Sequence, residues 1–285
     1  HEGRPRPYVG VSGVVNNKNT LPSGQTVIEP QDLFVEAYAN RAGLFETNRM
    51  LALGVKATHV TQFQDRVNQF GPEWFPVGDE LTNALRANRT NPDVLAVAQI
   101  YPSKYHISNS EYRRVLVERV AERGKGWLQA IRFDMLPWQG NEGMLQFVSD
   151  VREDYDVQTI LQCHKTAMEE LGPKGVVRKL TRYARALDYV MFDASHGTGE
   201  RMDPARLEAF LYEAYASTRL RNVNFVVAGG LDAHVVREDL PALITKYPDL
   251  SWDAESKLHP LNNVGKRPLQ MDMVKEYLRA SVEAL

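Results

Sequence analysis

The chain predicts a single (β/α)8 TIM barrel, on three observations. Short apolar or β-branched runs alternate with longer amphipathic stretches from one end to the other, eight of each. No Gly/Ser-rich or charged linker interrupts them, so residues 1–285 read as one domain, with residues 1–7 as an N-terminal tail. The 285-residue length suits a barrel core of about 250 residues carrying insertions. The competing arrangement, an open doubly wound sheet, commonly shows a G-x-G-x-x-G turn after its first strand, and "GVSGVVNNKN" has none.

The first run covers residues 8–15 (YVGVSGVV). A polar loop follows, and Pro30 opens a helical stretch to about residue 53, because proline suits a first helical turn. The second strand is expected over residues 58–63 (THVTQF) and the third over 94–101 (VLAVAQIY). Ser110 as N-cap and Gly124 as stop bracket one amphipathic helix. Strands four and five are expected over 128–135 and 157–164, separated by a helix over 143–153. A long helix to about residue 187 leads to the sixth strand (YVMFDAS). The next helix is capped by Asp203 and carries Pro204 in its first turn. Residues 224–230 (NFVVAGG) and 250–256 (LSWDAES) complete the strands. Helices are expected over 233–246 and at the C-terminus.

Composition narrows the function classes. With 34 basic and 36 acidic residues the formal charge is -2, so no global field favours nucleic acid or an anionic membrane. No stretch approaches the roughly 20 continuous apolar residues of a membrane helix. Cys163 is the single cysteine, which excludes an intramolecular disulfide and a multi-cysteine zinc site and fits a cytoplasmic protein. The expected partner is a small molecule. Composition gives no oligomeric state.

A TIM barrel carries its active site at the C-terminal ends of the strands, where the βα loops converge. In this sequence those ends hold Ser12, Gln62, Gln99 and Tyr101, then Arg132 and Asp134, then Cys163, His164 and Lys165. Asp193, Ser195 and His196 follow, then Gly229 and Gly230, then Asp253, Glu255, Ser256 and Lys257. Paired glycines before a helix can turn backbone N–H groups toward an anion, and Ser256 can add a hydroxyl. Gly229, Gly230 and Ser256 are therefore expected to bind phosphate.

The segments "FVVAGGLDAHVV", "LSWDAESKL" and "GKRPLQMDMVKEYLRAS" resemble, in order and spacing, the C-terminal third of phosphoribosylanthranilate isomerases. That family carries AGGL, VDVSSGVE and GxKD segments there. "YVMFDAS" is similar to the family's strand-six LLLDA, and "VGVSGVV" loosely resembles its opening KICGI. The resemblance lies within residues 189–283. It implies an Amadori rearrangement in which a strand-one cysteine removes a proton and the strand-six aspartate acts as general acid. Asp193 matches that aspartate. Ser12 stands at the cysteine position, and its hydroxyl is too weakly acidic to serve as a base unless another group activates it. Glu255 and Lys257 replace a serine and a glycine of the family's strand-eight motif. The chain is also longer, around residues 16–30, 64–92 and 101–110. A relative with another substrate is implied.

The expectation is an enzyme acting on a phosphorylated sugar or phosphoribosyl compound, with Asp193 and His164 catalytic. His164 is favoured over Cys163 because neighbouring strand residues face opposite sides. Arg132 is expected to hold a second anionic group, and Ser12, Asp134 and Asp253 to line the substrate. The residues imply no cofactor and no metal, since no Cys/His spacing motif occurs. Two alternatives stand beside it. One is a Schiff-base aldolase-type lyase using Lys165 or Lys257. The other is a non-catalytic barrel that binds a phosphorylated ligand.

Overall fold

The computed structural model of the chain describes all residues except 1–2, 21–22, 24, 65, 68–74, 87–90, 102–109, 135, 137, 139–141, 196–198 and 263–266. In chain order the first elements are β1 (Tyr8–Ser12), β2 (Asn16–Thr20), β3 (Thr26–Pro30), α1 (Gln31–Ala42), β4 (Met50–Thr58), α2 (His59–Phe63) and α3 (Glu80–Arg86). The middle of the chain forms β5 (Val94–Tyr101), α4 (Ser110–Arg123), β6 (Ala130–Phe133), α5 (Glu142–Tyr155), β7 (Gln158–His164) and α6 (Lys165–Leu180). The last third forms β8 (Tyr189–Asp193), α7 (Pro204–Ala216), β9 (Asn224–Ala228), α8 (Ala233–Lys246), β10 (Ser251–Ala254) and α9 (Met271–Glu283).

Eight parallel strands close into a barrel in the order β1-β10-β9-β8-β7-β6-β5-β4, with β4 pairing back onto β1. The single-domain (β/α)8 barrel is the architecture. Strand side chains alternate between two cores. Tyr8, Ala52, Val97, Ala130, Ile160, Met191 and Val226 form the cluster inside the barrel. The intervening positions, such as Val9, Leu53, Ile131 and Phe192, pack outward against helix residues such as Val35, Leu207 and Leu278. This period of two fixes which residues at the strand ends can face the mouth.

Local chemistry explains the helix boundaries. Asp203 accepts from the backbone N–H groups of Ala205 and Arg206 to start α7 behind Pro204. On α9, Val274, Tyr277, Leu278 and Ser281 recur on one buried face. The Tyr277 hydroxyl on that face donates to the Gly10 carbonyl at 3.0 Å, which ties the last helix to the first strand.

The second strand differs from the sequence expectation. It is Met50–Thr58, and residues 59–63 form α2, which Thr58 caps by accepting from Thr61 N at 3.2 Å. The inward residues of β4 are Ala52, Gly54 and Lys56, too small or too polar to give the usual β-branched signal. A Cβ on Gly54 would lie 2.8 Å from Gln99 Nε2 and 2.9 Å from Ser12 Oγ. The stretch expected to be helical to residue 53 ends at Ala42, and an antiparallel β2–β3 hairpin replaces the polar loop. The helix expected to reach residue 187 stops at Leu180. It kinks at Gly172, whose φ of 62° precedes the helix-breaking Pro173.

Gly10 is packed with equal closeness, since a Cβ there would lie 2.7 Å from Asp253 Cγ. Gly10→Ala is therefore expected to lower stability by about 1–3 kcal/mol through overpacking. Denaturant unfolding checks this, and an unchanged midpoint contradicts it.

Candidate active site

One layer above the apolar barrel core, the same alternation places Ser12, Lys56, Gln99, Arg132, Gln162, Asp193 and Asp253 inside the barrel, all buried. Arg132 organises this layer. Its Nε donates to Asp134 Oδ1 at 2.6 Å, its Nη1 to Ser12 Oγ at 3.0 Å and Asp253 Oδ1 at 3.3 Å, and its Nη2 reaches Glu255 Oε2 at 3.5 Å. Ser12 Oγ also accepts from Gln99 Nε2 at 2.6 Å and donates to Asp253 Oδ1 at 2.7 Å.

Lys56 forms the second positive centre. It is fully buried, its Nζ donates to Glu255 Oε1, and it lies over the rings of Phe75 and Tyr101, 5.1 and 5.0 Å from their centroids. The Tyr101 hydroxyl donates to the same Glu255 oxygen at 3.4 Å.

Four carboxyl groups, Asp134, Asp193, Asp253 and Glu255, thus share the mouth with two cations. Burial pushes Asp134 and Asp253 up to about 6 against the pull of Arg132, and Glu255 adds to both shifts. Burial also lowers the Lys56 ammonium to about 8, opposed by Glu255. At Glu255 the sign reverses. Burial raises it, but Lys56 and Arg132 outweigh burial and hold its carboxyl below the ordinary value.

Asp193 sits beside this network with its own supports. Its Oδ1 accepts from Ser195 N at 2.9 Å and Ser195 Oγ at 2.8 Å, and its Oδ2 accepts from Gln162 Nε2 at 2.8 Å. Gln162 is held in turn at its backbone, where its carbonyl accepts from Trp138 Nε1 at 3.0 Å.

A cavity of about 290 Å³ opens over these groups. It is lined by Asp193, Arg132, Asp253, Gly229, Gly230 and Ser256, all expected from sequence, together with Tyr101, Gln162, Ser195, Ala228 and Glu255. A larger hollow of about 610 Å³ between α6 and α7 is an open surface groove far from the strand ends. The mouth cavity is the better candidate because its polar groups converge.

Gly229 and Gly230 are required by packing whatever they bind. Their φ angles are 113° and 63°, and added Cβ atoms would lie 3.0 Å from Ser195 N and 2.8 Å from Arg201 Cα respectively. The N-terminus of α8 is occupied by the protein's own carboxylate, since Asp232 accepts from His234 and Val235 N–H groups at 3.0 and 2.9 Å. An anion at the glycine pair would rely on the loop amides and Ser256, not on the helix end.

Several expectations need correction. His164 is a helix cap: its Nδ1 accepts from Ala167 N at 3.4 Å and its Nε2 faces the Leu136 carbonyl at 3.1 Å, so both ring nitrogens are engaged away from the cavity. Cys163 faces the outer core, as the alternation requires. Arg132 lines the cavity, and its guanidinium already pairs with Asp134, Asp253 and Glu255, partners that the sequence did not indicate. Ser12 and Asp134 are buried beneath the cavity wall and not on it. Lys165 pairs with Glu200 at 2.9 Å on the outside, and Lys257 is exposed, so neither has the enclosure a Schiff-base lysine needs. His196 lies outside the described residues. Lys56 and Gln162 are the site residues that sequence reasoning missed. The signal for Lys56 was its phase with Ala52 and Gly54. Among the described residues, no group of three or more His, Cys, Asp or Glu side chains is placed to hold a metal ion.

No protein-family model matches the sequence, and no curated protein matches it. Solved structures do. Phosphoribosyl anthranilate isomerase from Thermus thermophilus aligns with a TM-score of 0.52 at 16% identity, covering 97% of each chain. Phosphoribosylanthranilate isomerase from Thermotoga maritima aligns at 0.51 and 12% identity, covering 96% of this chain and 98% of that one. Mycobacterium tuberculosis tryptophan synthase aligns at 0.52 and 13% identity, over 98% and 92%. The likeness is one of fold. A β-1,4-mannanase shares it at 8% identity with a TM-score of 0.52, so the barrel alone selects no chemistry. No helix among the described residues is long and apolar enough to cross a membrane.

The buried charges make a pH-dependent prediction. Arg132→Met leaves Asp134, Asp253 and Glu255 without their shared cation, an expected loss of about 3–5 kcal/mol near neutral pH. The loss should shrink as pH falls through about 6, where Asp134 and Asp253 take up protons and no longer need the cation. In the parent protein these two carboxyls lie above their unfolded values. Their contribution to stability is therefore full below the unfolded value and is lost as pH rises through about 6. Urea unfolding of both proteins across this range checks the sign, and a penalty that grows on acidification contradicts it.

Proposed function

We propose that the protein is an enzyme acting on a phosphorylated sugar or phosphoribosyl compound by acid–base, isomerase-type chemistry. One observation carries this reading: Asp193, fixed by Ser195 and Gln162, shares a single cavity with Gly229, Gly230 and Ser256. A barrel enzyme is a plausible product of such a mouth, and the isomerases among its structural neighbours supply the analogy for the reaction type. The mannanase neighbour shows that the analogy has competitors.

The roles follow from the contacts. Each carboxylate oxygen has two lone pairs. Among the described residues, Oδ1 of Asp193 receives two donors and Oδ2 one, so Oδ2 is the oxygen assigned to exchange a proton with a ligand. Ser12 is not a base in this reading, because its proton is committed to Asp253 and its oxygen already accepts from Gln99 and Arg132. Glu255, ionised by Lys56 and Arg132, is the second carboxylate on the cavity wall. The acidic floor repels phosphate, so the phosphate belongs at the rim beside Gly229, Gly230 and Ser256, with the sugar carbons directed toward Asp193.

Incubation with ribose 5-phosphate and dihydroxyacetone phosphate in D2O is expected to place deuterium on the carbon next to the carbonyl. Asp193→Asn should slow that exchange by about 10²–10⁴-fold while circular dichroism stays unchanged. Equal exchange in the variant removes Asp193 from the mechanism. Ser256→Asp should weaken ribose 5-phosphate binding about tenfold, or about 1.4 kcal/mol, by placing a negative charge at the rim. Calorimetric titration reads this, and unaltered affinity moves the phosphate away from Ser256.

A further inference from the structure

The acid–base reading gives Lys56 only an electrostatic part, yet its setting is that of a nucleophile. Lysine amines form Schiff bases with carbonyl compounds when their surroundings favour the neutral form. Lys56 is on the inward face of β4 at the mouth, 1% exposed, with a carboxylate on its Nζ and two aromatic faces around it. Lys56 lies behind the cavity wall, and two of the side chains that touch it, Glu255 and Tyr101, line that cavity, so Nζ reaches a ligand there when they give way. The other Glu255 oxygen lies 3.5 Å from Arg132 Nη2, so the carboxylate keeps a cationic partner when Oε1 exchanges its proton with Lys56.

We propose that Lys56 forms a Schiff base with an aldehyde or ketone that enters the mouth cavity, with Glu255 as its proton partner and Tyr101 as the hydroxyl that serves the carbonyl oxygen. This goes beyond the acid–base reading and does not depend on the phosphate site or on turnover at Asp193.

The step balances without an added oxidant or reductant. Glu255 takes a proton from the Lys56 ammonium, and the freed nitrogen lone pair attacks the carbonyl carbon. A C–N bond forms, the carbonyl π bond breaks, and its oxygen takes a proton from Tyr101. The carbinolamine nitrogen then gives up a proton, which restores Tyr101. The nitrogen pair expels the hydroxyl, which leaves as water with the proton held on Glu255. The ammonium and carbonyl have become an iminium and one water, with the charge unchanged. The Phe75 and Tyr101 faces that now lie against the ammonium then lie against the iminium, a cation of the same charge. Burial, which lowers the Lys56 ammonium to about 8, makes the neutral amine accessible at mildly alkaline pH.

The test is reductive trapping on the intact protein. Glycolaldehyde, a phosphate-free carbonyl probe, is added with sodium cyanoborohydride, and adducts are located by peptide mass spectrometry as a gain equal to the probe less one oxygen. Lys56 is expected to carry at least tenfold more adduct than Lys165 or Lys257. Glu255→Gln should reduce the Lys56 adduct at least tenfold while leaving labelling of Lys165 and Lys257 unchanged. The wild-type map stands by itself if that variant does not fold. Labelling of Lys56 that is no greater than that of the two outer lysines overturns the proposal. Because the probe has no phosphate and the readout is covalent, that result leaves the Asp193 reading untouched, and failure of the deuterium exchange leaves this one untouched.

Discussion

The mouth of this barrel depends on one buried guanidinium. Arg132 reaches Asp134, Asp253 and Glu255, three carboxylates from two strand ends, and also holds the Ser12 hydroxyl on a third strand. Burying so many charges has a large desolvation cost, and a shared, hydrogen-bonded partner is what makes the arrangement tolerable. Lys56 supplies the remaining compensation through Glu255. Burial nonetheless pushes Asp134 and Asp253 up to about 6, with Glu255 adding to the shift and Arg132 opposing it.

This constraint separates structural from chemical residues. Ser12, Gln99, Asp134 and Arg132 are buried and joined by hydrogen bonds with Asp253, which ties the strand ends together beneath the cavity. Asp193 stands outside that network, on the cavity side, with its own donors and one oxygen incompletely used. Glu255 belongs to both groups, since it pairs with Lys56 and Arg132 and also lines the cavity. The mouth thus combines an acidic floor with a rim that carries Gly229 and Gly230, and the proposed phosphorylated substrate would keep its anionic end outward.

Much of the frame was legible in the sequence, for identifiable reasons. β5 and α8 match their expected spans because an uninterrupted apolar run and a helical pattern of apolar residues each leave little ambiguity. Asp193, Asp253, Gly229, Gly230 and Ser256 were placed at the mouth because strand ends are marked by a change from apolar to polar residues. β4 was not legible: its inward face is Ala52, Gly54 and Lys56, and Gln99 and Ser12 fill the space that a side chain at Gly54 would need. That single misplacement hid Lys56. The partners of His164 and Arg132 were not legible for another reason. Residue type shows what a side chain can do, while its partners, a helix N-terminus for His164 and three carboxylates for Arg132, are set by the fold.

The claim that joins these parts is that the cavity over Arg132 is where substrate binds, with its phosphate at the rim and its carbons at Asp193. A crystal structure of the protein with ribose 5-phosphate bound tests it most directly. The account predicts the phosphate beside Gly229, Gly230 and Ser256 and the sugar within hydrogen-bonding distance of Asp193 Oδ2. A sugar phosphate bound instead in the groove between α6 and α7, or absent from the mouth at saturating concentration, contradicts it.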